Sequence, residues 1–381
     1  MTRRLKVLHV GKFYPPHAGG MESHLELLCR ATKDKVDLSV LVSADGARTV
    51  HETLGGVPVT RIGTRLTLAS ASFNPGMARA IRGADADVVH FHHPNPTAAL
   101  SYFAARPRGR LVVTYHSDIV RQKVLGSLVS PLIHALLRRA DAIIASSPQY
   151  AASSPVLRAH ASRVRVLPFG IDTAEFQQVD DAEVERIRAA HGPRIVFAAG
   201  RLVYYKGFDV LIRAMRNVDA RLLIAGSGPL RDELQVLAEE VGIADRVTLL
   251  GAVPDLRPYY HAAQVFTLPA VARSEAFGIV QMEAMACGLP VVNTALDTGV
   301  PFVSPHGETG LTVPPGDPAA LAAALSTLLG DPALRRRMGE AARRRVETEL
   351  SAERMAERTL ALYREVVGNP SAKSLPDNPD G

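Results

Sequence analysis

The sequence predicts an α/β protein of two doubly wound, Rossmann-like parallel-sheet domains facing across a cleft. Three observations predict it. At 381 residues the chain exceeds what one ordinary hydrophobic core serves. Short continuous apolar runs alternate with helical patterns along its length, as parallel strands buried on both faces do. The runs also fall into two series, separated by the polar stretch Thr173–Gly192. A single barrel would need eight evenly spaced units, and the spacing does not provide them.

The first series of strand candidates is Lys6–Val10, Leu38–Val42, Val88–His92, Leu111–Tyr115, Ala142–Ser146 and Val164–Pro168. The second is Ile195–Ala199, Arg221–Ala225, Val247–Leu250, Val265–Leu268 and Pro290–Asn293. Helical patterns lie between them, among them Glu22–Arg30, Gly207–Met215 and Leu230–Val241. The expected N-terminal domain is residues 1–170, with a linker over 171–193 and a C-terminal domain over 194–350. A last helix over 351–367 is expected to cross back to the first domain. The Pro/Asn/Asp/Ser-rich tail 368–381 is expected to be disordered.

Hydrophobic residues make up 47% and charged residues 22%, the balance of a soluble globular protein. The two cysteines, Cys29 and Cys287, are too few for a disulfide framework and fit a reducing cytoplasm. The start is basic and then apolar, but its apolar stretch is too short for a signal segment and reads as a first strand. No apolar run reaches the length of a membrane span. Residues 1–180 hold 22 Lys/Arg against 13 Asp/Glu, and the remainder 22 against 25. The basic half suits an anionic partner such as a phospholipid surface or a lipid diphosphate, or it serves only solubility. Nucleic acid is not expected, because basic and aromatic residues do not interleave and tryptophan is absent.

The richest segment is Glu275-Ala-Phe-Gly-Ile-Val-Gln-Met-Glu283, which runs into a helix that ends at Gly288. A carboxylate precedes the helix and a second lies inside it. An anion can meet the free N–H groups at the helix start, while the carboxylates accept hydrogen bonds from hydroxyls on either side. A nucleotide-sugar has that shape: sugar, diphosphate, ribose. The segment Gly200-Arg201-Leu202-Val203-Tyr204-Tyr205-Lys206-Gly207 follows a strand. In it Arg201 and Lys206 can converge on one diphosphate, as a fork and a point charge.

After the first strand, Gly19 and Gly20 open a helix where backbone N–H groups can approach a phosphate or sugar. Ala225-Gly226-Ser227-Gly228-Pro229-Leu230-Arg231 fails the dinucleotide fingerprint at Arg231. His116 ends a strand, either as a hydrogen-bonding partner for a sugar hydroxyl or developing charge, or as a satisfied strand-end histidine. His90, His92 and His93 have no carboxylate or cysteine spaced to complete a metal site, and are expected to line the cleft. Asp85-Ala86-Asp87 lies at the amino end of a strand and reads as a solvated turn. No metal is expected. The stretch Ile119–Arg139 is amphipathic with basic ends, suited to an anionic membrane surface or to packing on a sheet.

Taken together, the paired glutamates, the Gly-Arg-Leu…Lys-Gly segment and the amino-terminal Gly-Gly resemble the retaining glycosyltransferases of family 4, which have the GT-B fold. Pro168-Phe169-Gly170-Ile171-Asp172, Gly226-Ser227-Gly228-Pro229 and Glu308-Thr309-Gly310-Leu311 extend the resemblance over about residues 5–365. It implies that Gly19 and Gly20 contact donor phosphate or sugar, and that Arg201 and Lys206 hold the diphosphate. Glu275 would bind donor-sugar hydroxyls, and Phe277, Gly278 and Ile279 would offer backbone N–H groups. Glu283 would take the ribose hydroxyls, and His116 would sit near the anomeric carbon. It further implies metal-independent transfer on one face of the sugar, with domain closure assembling the site. One departure stands out: Asp297-Thr298-Gly299-Val300-Pro301-Phe302 lacks the final glutamate of the family's Gly-Gly-x-x-Glu loop.

That loop, Arg273-Ser274 before Glu275, and the run from His116 to Gln122 resemble the bacterial polysaccharide mannosyltransferase-like subgroup. The expected partners follow: a nucleotide-sugar donor, GDP-mannose before a UDP-sugar, a hydroxyl acceptor carried on a lipid-linked glycan, and an anionic membrane surface. The expected location is the cytoplasm, peripheral on the inner face of the membrane. Two alternatives stay open. One is a soluble natural-product acceptor such as an aminocyclitol antibiotic core. The other is a nucleotide-sugar isomerase or an inactive binding module.

Overall fold

The computed structural model describes residues 3–17, 19–68, 71–118 and 123–368. The chain divides into two compact units. One comprises Met1–Ser146, Ser154–Pro168 and Glu353–Gly381; the other comprises Ser147–Ser153 and Phe169–Ala352.

Among the described residues the first unit holds ten strands: β1 (Lys6–Val10), β2 (Asp37–Ser43), β3 (Val50–Leu54), β4 (Val57–Ile62), β5 (Leu66–Leu68), β6 (Ala71–Phe73), β7 (Val88–His93), β8 (Arg110–Tyr115), β9 (Ala142–Ala145) and β10 (Val164–Val166). Eight form one sheet in the order β10-β9-β8-β7-β1-β2-β4-β3, parallel except for the edge strand β3. Every residue of β7 and β8 is buried, as in a parallel sheet covered on both faces, although β7 carries three histidines and β8 starts with Arg110. The sheet order reverses between β1 and β7, the kind of switch point where open α/β sheets bind ligands. The aspartates of the Asp85-Ala86-Asp87 turn have structural partners: Asp85 pairs with Lys6, and Asp87 accepts from Lys6 N–H (2.8 Å) and Arg3 (2.6 Å).

The second unit holds β11 (Ile195–Ala199), β12 (Arg221–Ala225), β13 (Val247–Gly251), β14 (Val265–Leu268), β15 (Val291–Thr294) and β16 (Gly310–Val313). They form one parallel sheet in the order β13-β12-β11-β14-β15-β16, with its switch point between β11 and β14. A hydrophobic layer covers each face, one centred on Phe197, Phe266 and Tyr260, the other on Ile212, Leu222 and Leu325.

Several elements differ from the sequence reading. Residues 171–193, expected to be a linker, form helices Thr173–Gln177 and Asp181–His191, and Val184 and Ile187 enter the second unit's core. The helix expected from 351 spans Ala352–Gly368, and its Leu360, Leu362, Tyr363 and Val366 join the core of the first unit. The hairpin β3–β4 was not anticipated, because Val-His-Glu-Thr-Leu is half-exposed and β4 contains Pro58. Its Gly55-Gly56 turn is the signal that could have found it. The amphipathic stretch is helical over Lys123–Arg139, while Ile119–Gln122 and the tail beyond Gly368 lie outside the described residues.

Candidate active site

The second unit brings most of the expected residues together at the switch point. Lys206 ends a short 3-10 turn after β11, and Glu275 lies in the loop after β14, the neighbouring strand. The Val271 N–H donates to Tyr205 O (2.9 Å), stitching the two loops side by side. Lys206 Nζ consequently sits 2.6 Å from Glu275 Oε2, with the side chains only 11% and 10% exposed. The sequence reading gave these two residues separate ligands, yet they form an ion pair with each other. Arg201, at the other end of the same loop, is exposed.

Close backbone packing gives the loops their form. Gly200 has φ +148°, and a Cβ there would lie 3.1 Å from Lys206 Cε and Nζ. The bare glycine leaves room for the lysine to lie back toward the pair. Gly226, after β12, packs directly on Gly200 O, and Leu202 N–H donates to Ser227 O (2.9 Å). The failed dinucleotide motif therefore buttresses the Arg201–Lys206 loop.

Helix Ile279–Ala286 starts at Gly278, which has φ +80° and caps the helix in the left-handed region. A Cβ at 278 would meet Leu268 and Gln281 at 2.6 and 2.7 Å. Phe277 anchors the start from below: it is 3% exposed and meets Phe169 edge to face at 5.0 Å. At the helix start the N–H groups of Ile279 and Val280 have no intrahelical acceptor, whereas Gln281 N–H already donates to Gly278 O (2.9 Å). One turn on, Glu283 Oε2 accepts a 2.7 Å hydrogen bond from Tyr260 OH. Burial raises the Glu283 carboxyl, opposed by the tyrosine hydrogen bond and by Lys206. Burial first, and the carboxylate second, hold Tyr260 well above 10, so it keeps its proton and acts as a donor. The divergent loop packs beside the helix start: Gly299 N–H donates to Ala276 O (2.7 Å), and Asp297 O accepts from Arg273 (3.0 Å) and Ser153 (2.5 Å).

The remaining expected residues belong to the first unit. Gly19 caps helix Gly20–Thr32, and Glu22 folds its carboxylate back to the space a side chain at 19 would fill. Burial raises Glu22 and lowers Lys12, each partly countered by the other. His116 is 6% exposed; its backbone N–H donates to His93 O (3.0 Å) and its ring Nε2 lies 3.1 Å from His92 Nδ1. Burial holds His116 well below 6.5, so the ring is neutral near pH 7. His90, His92 and His93, expected to line a cleft, are instead 0–2% exposed inside the unit. The in-register pairing of β1 with β7 and the packing of helix Ala352–Gly368 enclose them.

Comparison with known proteins gives the family. The profile "Glycosyltransferase Family 4" matches residues 18–175, and "Glycosyl transferases group 1" matches 179–345. The D-rhamnosyltransferase WbpZ of Pseudomonas aeruginosa is 36% identical over 90% of this chain and 91% of its own. The O-antigen chain mannosyltransferase C of Escherichia coli is 31% identical over 96% and 100%. The chain is a family 4 glycosyltransferase. Its GT-B fold is shared with the sucrose-phosphate synthase of Thermosynechococcus elongatus, at a TM-score of 0.80 and 24% identity over 96% of this chain and all of that one. Anabaena HepE in complex with UDP and glucose superposes at 0.79, with 21% identity over 95% and 100%.

Within this glycosyltransferase, the structure places Tyr260 against Glu283, and Lys12, Glu22, His9 and His24 near the first unit's expected residues, and sequence reasoning gave none of them a role. Tyr260 carries no local signal: it lies 23 residues before Glu283 in an ordinary helical pattern. Glu22 could have been found, since it follows the glycines at the spacing of a residue that folds over a helix start. Among the described residues, no helix is long and apolar enough to cross a membrane.

Proposed function

We propose that the enzyme transfers a hexosyl group, mannose from GDP-mannose, to a hydroxyl of a lipid-linked glycan during polysaccharide or glycolipid assembly, with retention of anomeric configuration and no metal requirement. The observation that carries this is the enclosed Lys206–Glu275 pair at a helix start whose next turn holds Glu283. Lys206 bridges the carboxylate and a diphosphate oxygen, and the exposed Arg201 forks onto the same group. Glu275 then accepts from sugar hydroxyls. The helix-start N–H groups meet phosphate, and Glu283, steadied by Tyr260, accepts from ribose hydroxyls.

In the reaction the bond from C1 to the phosphate oxygen breaks and a bond from C1 to the acceptor oxygen forms on the same face. The acceptor proton passes to the departing phosphate. Charge grows on that phosphate toward the transition state, where the Lys206 ammonium and Arg201 guanidinium stabilise it. These fixed cations supply the charge that a divalent ion would otherwise bring.

The choice of mannose follows relatives such as the O-antigen chain mannosyltransferase and the GDP-mannose-dependent phosphatidylinositol monomannoside mannosyltransferase of Mycolicibacterium smegmatis, 33% identical over 88% of this chain. The basic balance of residues 1–180 supports an acceptor carried at an anionic membrane surface. The test is a transfer assay with a panel of GDP- and UDP-sugars, with and without EDTA, scoring product configuration by NMR. Transfer from GDP-mannose with an axial product linkage, undiminished by EDTA, is the expected result. An inverted product, or no turnover of any donor, defeats the proposal. Flotation with anionic vesicles separates the acceptor classes, since an enzyme for a soluble acceptor stays unbound.

A further inference from the structure

Helix Ile279–Ala286 rests on two buried amides, Gln281 and Asn293, both 0% exposed. Gln281 Nε2 donates to Phe277 O and to Val300 O, each at 3.3 Å, and Gln281 Oε1 accepts from Asn293 Nδ2 (2.9 Å). Asn293, on β15, donates further to Val300 O and Ser304 O, both at 3.1 Å. Its Oδ1 accepts from Thr312 Oγ1 (2.8 Å), the residue it pairs with in register on β16. These partners fix the orientation of both amides. Turning either one over would set its oxygen against two carbonyl oxygens.

What Gln281 grips is backbone. Phe277 O belongs to the peptide that enters Gly278, where φ is +80°. In a trans peptide the N–H points opposite to the C=O. Drawing Phe277 O toward Gln281 therefore turns Gly278 N–H away from the buried amide. The fit leaves no slack, since a Cβ on Gly278 would stand 2.7 Å from Gln281 Nε2.

The Val300 bonds extend the grip to the loop after β15. Val300 O accepts from both amides, and Gly299 N–H, one residue earlier, donates to Ala276 O (2.7 Å). A Cβ on Gly299 would lie 2.5 Å from Phe277 Cδ2, so the two segments touch with no side chain between them. Residues 276–278, next to Glu275, are thus held from two sides. Gln281 acts through this backbone rather than beside Glu283. At about 100° per residue the two positions stand roughly 200° apart around the helix. Packing alone does not call for an amide here, because a leucine of similar size would need no partners.

We propose that Gln281, braced by Asn293, is a positioning residue for the donor diphosphate. It fixes the Phe277–Gly278 peptide so that the N–H groups of Gly278, Ile279 and Val280 face the phosphates before the donor arrives. This rests on the reading of the helix start as the phosphate contact.

The test compares nucleoside diphosphates with their nucleosides, GDP with guanosine and UDP with uridine, by ligand-observed NMR titration of the full chain. The nucleoside lacks the phosphates and reports ribose and base contacts alone. Wild type is expected to bind one diphosphate far more tightly than its nucleoside. Gln281→Leu should weaken that diphosphate about tenfold, the value of one hydrogen bond to a charged group, and the nucleoside by less than about twofold. Gln281→Met fills the space with a flexible apolar chain, should behave alike, and decides if the leucine variant does not fold. Donor KM should rise in step. Leu325→Ala opens a cavity in the opposite hydrophobic layer, away from the helix start, and should leave the ratio of diphosphate to nucleoside affinity unchanged. An unchanged ratio in the Gln281 variants overturns the proposal. So does an equal weakening of nucleoside and diphosphate, or a ratio that falls as far in Leu325→Ala, since either marks general destabilisation. A wild type that binds the diphosphates no better than the nucleosides refutes instead the phosphate reading on which the proposal rests.

Discussion

Lys206→Ala separates structural from catalytic roles at the ion pair. The substitution removes an ammonium 2.6 Å from a carboxylate, with both side chains about nine-tenths enclosed. Removing one partner of a buried pair costs about 3–5 kcal/mol, because the other charge is stranded. A tenth of each side chain still sees water, which favours the low end, about 3 kcal/mol. At roughly 2–4 °C per kcal/mol for a unit of this size, the unfolding midpoint should drop by about 6–12 °C. On the proposed role of Lys206, transfer should lose, in addition, a charge-assisted contact to the departing phosphate. Such a contact contributes about 1.5–3 kcal/mol, or roughly tenfold to 150-fold in kcat/KM. Adding Glu275→Gln removes the stranded charge. The double variant should therefore recover most of the lost midpoint and none of the lost turnover. Thermal unfolding by circular dichroism and initial rates with GDP-mannose read the two effects. If the double variant regains transfer, Lys206 serves only to neutralise Glu275 and the diphosphate assignment is wrong.

The other expectations concern the same helix. Tyr260→Phe withdraws the hydroxyl that donates to Glu283 at 2.7 Å and should raise donor KM about tenfold, the value of a hydrogen bond to a charged group, with kcat nearly unchanged. Glu283→Gln should also raise donor KM, yet stabilise the fold near neutral pH. A raised folded-state pKa means the native site favours the protonated acid, so the stability linked to Glu283 is present below 4.5 and is lost as pH rises past the folded pKa. The midpoint difference between Gln and Glu enzymes should therefore widen from pH 4 upward, and a gap that narrows would contradict the raised carboxyl. Gly278→Ala forces a side chain into φ +80° and against Leu268 and Gln281, and should cost about 1–2 kcal/mol by chemical denaturation along with a measurable loss of kcat/KM. An unperturbed Gly278→Ala enzyme would remove the argument that this turn sets the helix start.

The central strands were legible because a parallel strand covered on both faces has almost no polar alternation. Ile195–Ala199, Arg221–Ala225 and Val265–Leu268 appear in the structure with the bounds read from sequence. The helix start before Glu283 was equally legible, because a glycine ahead of an apolar helix and a second glycine after it mark both ends. The half-exposed hairpin β3–β4 and the two short helices after Ile171 were not, because their apolar residues are too few and too scattered to show a period.

By itself, then, the sequence determined two wound sheets, the loops that follow their strands, and a family whose resemblance implies one site for Lys206, Glu275 and Glu283. Only the tertiary structure decided that Lys206 and Glu275 neutralise each other, that Tyr260 holds Glu283, and that His9 sits beside His92 from 83 positions away. Those contacts depend on which strands lie side by side. Periodicity reports whether a residue faces a core, but strand order is set by how all the elements pack at once, and no local pattern carries it.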